Sequence, residues 1–163
     1  MTVPPVVRPR PLELGSQPKP PSRAEPRTVL VVDEYPAVLA WASRAFQKVG
    51  WRILTATDGP QAQALYSDAA NRGQPVDLLI TDLQLHAVSG ATLVRGLRAL
   101  NPTLPVIALF VGNAHDDDWH GPMLDHTSFF QKPVRAASLL AAAEALVFVP
   151  ADGDDEPCPH EPT

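Results

Sequence analysis

Between residues 28 and 149, apolar runs of five or six residues alternate with longer stretches in which apolar residues recur every three or four positions. A short continuous apolar run is what a strand covered on both faces requires, and the longer period is that of a helix with one buried stripe. Thr28–Val32 (TVLVV) reads as the first strand. A helix follows from about Pro36, where a fixed φ suits the first turn, with Val38, Leu39, Ala42, Phe46 and Val49 on its apolar face and Gly50 ending it. Trp51 to Ala56 is the second strand, and Pro60 to about Asp68 a helix introduced by the Asp58-Gly59 turn. Val76 to Thr81 is the third strand. Ser89 caps the next helix, which carries Leu93, Leu97 and Leu100 and stops at Asn101-Pro102. Pro105 to Phe110 is the fourth strand, Asp116 to Leu124 a fourth helix, Ser128 to Gln131 the fifth strand and alanine-rich Ala136 to Leu146 the last helix. The repeated unit predicts an α/β chain of the doubly wound (βα)5 kind, built on a parallel sheet.

Proline use sets the limits of this domain: of 19 prolines, eight fall in residues 1–27 and four in residues 150–163. Such segments bury too little apolar surface to offset ordering entropy, so 1–27 and 150–163 are expected to be disordered, leaving one domain over 28–149. The first tail has net charge +3 and the second, with five acids and no base, −5. The whole chain of 163 residues carries −5 at pH 7, which argues against a direct grip on nucleic acid. Cys158 is the single cysteine, so neither an internal disulfide nor a cysteine-based zinc site is expected. No apolar stretch is long enough to span a bilayer and no signal-peptide core opens the chain, so a cytoplasmic, membrane-free protein is expected.

In an open parallel sheet, functional groups collect beyond the carboxyl ends of the strands. Here the first strand ends at Asp33 and Glu34, the third at Asp82, and the fifth runs into Lys132 and Pro133. Three carboxylates and an ammonium are thereby expected at one point, from positions about fifty residues apart. Like charges about 4 Å apart repel by roughly 4 kcal/mol at an effective dielectric near 20, so the cluster calls for a cation. Magnesium, which favours oxygen ligands and keeps several waters, suits an open site of this kind. Asp82 then becomes a nucleophile toward phosphorus and Lys132 a clamp on a phosphoryl oxygen.

Three segments in this order resemble the receiver domains of two-component response regulators: VLVVDE (Val29 to Glu34), LLITDLQLHAVSG (Leu78 to Gly90) and FFQKP (Phe129 to Pro133). The resemblance covers roughly Arg27 to Leu146. It implies a flavodoxin-like sandwich with five helices and a five-stranded sheet in the order 2-1-3-4-5. It also implies a phosphoryl group on Asp82, delivered by a histidine kinase or histidine phosphotransfer protein, with Mg2+ held by Asp33, Glu34, Asp82 and the backbone carbonyl of Gln84. Because residues 150–163 leave no room for an output domain, signalling through an unknown downstream protein is expected. The alternative is a phosphorylation-independent interaction module. Gln84 stands where a hydrolase of the aspartyl-phosphate type would need a second acid, so a dedicated enzyme is not expected.

The sequence departs from the family pattern at several places. Where the family has Ser or Thr at the end of strand four, an ungapped match places Phe110, and a match with one insertion places Val111. Neither carries a hydroxyl, so phosphorylation is expected to survive while the coupled rotation of Phe129 is expected to fail, Phe110 crowding its space. His86 stands where proline is common and is a candidate modulator of the site, although a solvent-facing loop histidine is the commoner case. Asp125 and His126 replace a glycine-alanine pair. The run His115, Asp116, Asp117, Asp118 and His120 is expected to be a solvated helix start, since consecutive carboxylates do not face one side. Trp41, Trp51 and Trp119 are expected to pack, with Trp119 the best exposed candidate for a partner contact.

Overall fold

All five residues of the first and third strands are buried, so both faces of those strands need cover, and helices on either side supply it. The computed structural model describes residues 25–113 and 119–148. Its elements run β1 (Thr28–Val32), α1 (Pro36–Lys48), β2 (Arg52–Ala56), α2 (Gly59–Asn71), β3 (Leu78–Asp82), α3 (Gly90–Leu100), β4 (Val106–Phe110), a 3-10 turn (Gly121–Met123), β5 (Thr127–Gln131) and α4 (Ala136–Val147). The strands form one parallel sheet in the order β2-β1-β3-β4-β5, as expected. Alternate residues of the strands feed two cores. Leu30, Val32 and Leu79 pack with Leu93 and Leu97 of α3 on one face, while Val29, Val31, Leu78 and Ile80 pack with Phe46 of α1 and Leu139 of α4 on the other.

The helix starts follow from local chemistry. Asp58 accepts the Gln61 N–H (2.7 Å), satisfying a donor that the first turn of α2 leaves open, and Gln61 Oε1 in return accepts the N–H of Thr57 (2.8 Å), just before the cap. Ser89 accepts the Thr92 N–H at 3.2 Å and caps α3. At the far end of the molecule the Arg27 guanidinium lies 3.8 Å from the centroid of Phe148 and 5.7 Å from that of Trp51, joining the residue before β1 to the residue after α4.

Several expectations require correction. The apolar face of α1 is closed by Ala45; Val38 is only half-buried and Val49 is exposed, because the helix has ended before it. Leu100, in the last turn of α3, is 68% exposed. The fourth predicted helix gives way, in its described part, to the 3-10 turn. Gly121 there sits at φ +56°, outside the helical region, and Pro122 has no N–H to continue a helix. Among the described residues there are thus four α-helices and not the five that the resemblance implies. Residues 1–24 and 149–163, with Cys158, and the acidic run Asp116, Asp117 and Asp118 lie outside the described residues. No helix among those described is long and apolar enough to cross a membrane.

Candidate phosphoacceptor site

The sheet order reverses at β1, whose successor β2 lies on one side while β3, β4 and β5 extend on the other, so a crevice opens beyond the carboxyl ends of β1 and β3. Asp33 follows β1 and Asp82 closes β3, and the register pairs the preceding residues, Val32 with Thr81. Both carboxylates are buried, Asp33 fully and Asp82 to 5% exposure. Lys132 reaches them from the end of β5 and donates 2.6 Å hydrogen bonds to Oδ2 of each. The remaining oxygens are held by backbone: Asp33 Oδ1 accepts the Tyr35 N–H and Asp82 Oδ1 the Gln84 N–H, both at 2.9 Å.

Two buried carboxylates that share one ammonium leave the site electrostatically negative, since one charge offsets only one of two. Burial by itself pulls the Lys132 pKa down, but the hydrogen bonds and charges of Asp33 and Asp82 outweigh it and hold the ammonium above its usual 10.5. Lys132 is itself fixed through its backbone, whose N–H donates to the Phe110 carbonyl at 2.7 Å. Its Nζ also lies 6.0 Å from the ring centroid of exposed Tyr35.

Glu34 is placed differently. Its carboxylate is engaged by His86, through the backbone N–H to Oε1 and through ring Nδ1 to Oε2. The loop histidine thus both faces solvent, with its side chain 87% exposed, and approaches the site. Among the described residues, no three His, Cys, Asp or Glu side chains converge as a ready-made metal-ligand group.

At the other end of the crevice, β4 finishes at Phe110, which is half-buried and pairs with Gln131; Val111 lies beyond the strand and is 59% exposed. Phe129, opposite Ala108, is partly exposed and meets Trp119 edge-to-face at 5.2 Å. Trp119 is half-buried against the α3-side core, so the expectation of a more exposed partner contact is corrected; its Nε1 is buried with no hydrogen-bond partner. Trp41 and Trp51 pack on the opposite core, as expected.

Sequence reasoning passed over three contributors. Gly90 opens α3 so close to β3 that a β-carbon there would collide with the Asp82 carbonyl and come to 3.0 Å of Leu83 Cα; its position eight residues after the acid was the available signal. Arg98 ties the approach to β4 to the connection between β4 and β5, donating to the carbonyls of Leu104 (3.0 Å), Met123 (3.0 Å) and Asp125 (2.7 Å) and to Thr127 Oγ1 (3.0 Å). Burial lowers its pKa, with Asp125 pulling the other way. No sequence pattern announces such a hub. The third is an apolar groove of about 490 Å³ beside the acid pair, walled by Ala37, Val38 and Trp41 of α1 and by Pro133 and Val134, with Lys132 at its edge.

Comparison with known proteins agrees with this fold. Residues 29–144 match the family model described as the response regulator receiver domain. TcrX of Mycobacterium tuberculosis is 35% identical over 76% of this chain and 50% of its own length. The transcriptional regulatory protein PrrA of the same organism is 34% identical over 73% and 49%. The chain therefore spans about half the length of the curated relatives it matches. Among solved structures, the receiver domain protein of Clostridium thermocellum has a TM-score of 0.65 at 23% identity, covering 74% of this chain and 94% of that one. The chemotaxis response regulator CheY4 of Vibrio cholerae has a TM-score of 0.64 at 20% identity, covering 75% and 99%. With the family model spanning most of the chain, and the paired acids and lysine gathered at the switch point of a 2-1-3-4-5 sheet, this chain belongs to the receiver domains of two-component response regulators.

Proposed function

We propose that Asp82 accepts a phosphoryl group from the phosphohistidine of a histidine kinase or histidine phosphotransfer protein, and that the chain signals through protein contacts in the cytoplasm. The observation that carries this reading is Lys132, held at 2.6 Å from both Asp33 and Asp82. Asp82 Oδ1 is tied to a fixed backbone donor, whereas Oδ2 is held by a side chain that can move with it. Oδ2 is accordingly the attacking oxygen. Its bond to phosphorus forms as the bond from phosphorus to the donor's imidazole nitrogen breaks, the electron pair returning to the ring. Lys132 then follows the charge to a phosphoryl oxygen while keeping Asp33 as counter-ion.

Receiver domains of this family bind Mg2+ at the phosphorylation site. The donor set here fits such an ion: hard carboxylate oxygens, a surplus of negative charge, and a turn that brings the Gln84 backbone to Asp82. Asp33, Glu34, Asp82 and the Gln84 carbonyl would hold it, Glu34 on release from His86. When bound, the ion neutralises charge on the transferring group.

The missing hydroxyl at Phe110 bears on reporting the phosphoryl group rather than on accepting it. The buried Asp82, in ion pair with Lys132, therefore favours an acceptor over a phosphorylation-independent module. Direct readout by nucleic acid is not part of the proposal, given the net charge of −5. The test is intact-mass measurement after incubation with magnesium and a small phosphoramidate or acyl phosphate donor. Wild type should gain one phosphoryl mass and Asp82→Asn none; an unmodified wild type beside a modified control receiver overturns the proposal.

A further inference from the structure

We infer that His86 is a latch on Glu34, holding that carboxylate out of the cation-binding set, so that divalent cations must break the latch in order to bind. The inference rests on the reading that Asp33, Glu34 and Asp82 form the cation site. Asp33 and Asp82 already point at one place, as their shared partner Lys132 shows. Glu34, adjacent to Asp33 in sequence, is the acid of the three that is engaged elsewhere. Both of its oxygens are taken by one residue 52 positions away, through the His86 backbone N–H and ring Nδ1. A carboxylate can only accept, so Nδ1 donates. The two contacts tie the turn after β1 to the loop after β3, the two segments that must supply ligands together.

The exposures fit a latch that opens. The Glu34 side chain is 25% exposed and that of His86 87%, so releasing the ring exchanges a hydrogen bond to protein for one to water without disturbing either core. Magnesium demands near-octahedral oxygen ligands at about 2.0–2.1 Å, a geometry that a carboxylate oriented toward His86 on both oxygens does not offer. A binding-competent state populated in only a fraction of molecules weakens apparent affinity by that fraction, so a latch favoured about tenfold costs about tenfold in affinity. The latch has two parts that substitution separates. Any residue except proline keeps the backbone donor, and a side-chain N–H is needed for the second contact.

The experiment is calorimetric titration of magnesium chloride into the full chain as wild type, His86→Asn, His86→Ala and His86→Pro, with circular dichroism of each. His86→Asn retains a donor without an ionisable ring and should bind close to wild type. His86→Ala should bind severalfold more tightly, and His86→Pro, lacking both donors, about tenfold more tightly than wild type. In wild type, the His86 amide and ring nitrogen resonances should move to solvent-exposed positions as magnesium saturates. Equal affinity across the four folded proteins overturns the latch and leaves the cation site standing. Asn binding as tightly as Ala overturns it too, by assigning the effect to ring charge. Absence of magnesium binding in all four overturns the cation site and the latch together.

Discussion

Lys132 holds two buried carboxylates, and its substitution exposes what that arrangement costs. Lys132→Met leaves Asp33 and Asp82 buried without a counter-charge and should destabilise the fold by about 3–5 kcal/mol, read as a lower urea midpoint. Adding Asp33→Asn should recover part of the loss, because the surviving carboxylate then faces no like charge. The lysine also predicts an alkaline limit. Its folded pKa lies above the usual 10.5, so its contribution is fully present below pH 10.5 and is lost as the pH rises from there through the folded value. Wild type should therefore lose stability relative to Lys132→Met in that window, checked by urea titrations at stepped pH. At Phe110 the expectation concerns signalling. A phosphoryl mimic should change amide exchange around Asp82 while leaving Phe110 and Phe129 nearly unchanged, since Phe129 already has Trp119 as its partner and Phe110 offers no hydroxyl. Large protection changes at both rings would contradict this. Of these residues, the acids and the lysine were legible because charged groups at the ends of apolar strands have few structural reasons to be there. The hold of His86 on Glu34 was not, because it joins two loops whose approach no local pattern encodes.

Elements are positioned by a few contacts that substitution can remove singly. Gly90→Ala would drive a methyl group into the Asp82 carbonyl, so α3 must retreat or β3 must bend. A cost of roughly 1–3 kcal/mol is expected, together with slower phosphorylation, because the displaced atom belongs to the proposed acceptor, Asp82. Arg98→Met should loosen the connection between β4 and β5, with a loss of about 1.5–3 kcal/mol for hydrogen bonds made by a charged donor. Native-state hydrogen exchange at Thr127 and Phe129 would register it. That connection is where the pattern of apolar positions misled. The stretch ending at Leu124 reads as a helix, yet Gly121 and His126 both adopt positive φ, and histidine has no glycine-like freedom there. Guanidinium bonds to the Asp125 carbonyl and the Thr127 hydroxyl hold the segment in place of helical ones. The other elements were legible to within a few residues, because each combines an apolar run or stripe with a turn or cap of its own, as at Asp58 and Ser89.

At the scale of the molecule, strand order decides function. Placing β1 and β3 side by side brings Asp33 to Asp82 across 49 residues, and placing β5 beyond β4 lets Lys132 reach both. Alternation of runs and stripes implies a parallel sheet, but order within it came from the resemblance; nothing in the periodicity distinguishes 2-1-3-4-5 from other sequences of five strands. The proposed acceptor chemistry lies at the carboxyl pole of this sheet. Arg27, stacked on Phe148 and near Trp51, occupies the opposite pole and brings the beginning of β1 to the end of α4. In polymer terms the folded domain is nearly a ring, interrupted at one stitch. A short linker across that stitch would close it with little loss of loop entropy, and new ends could be opened at the positive-φ turn of Gly73, between α2 and β3. Such a permutant should keep the acid pair, the lysine and the two cores intact, and would carry any fused reporter away from Asp82.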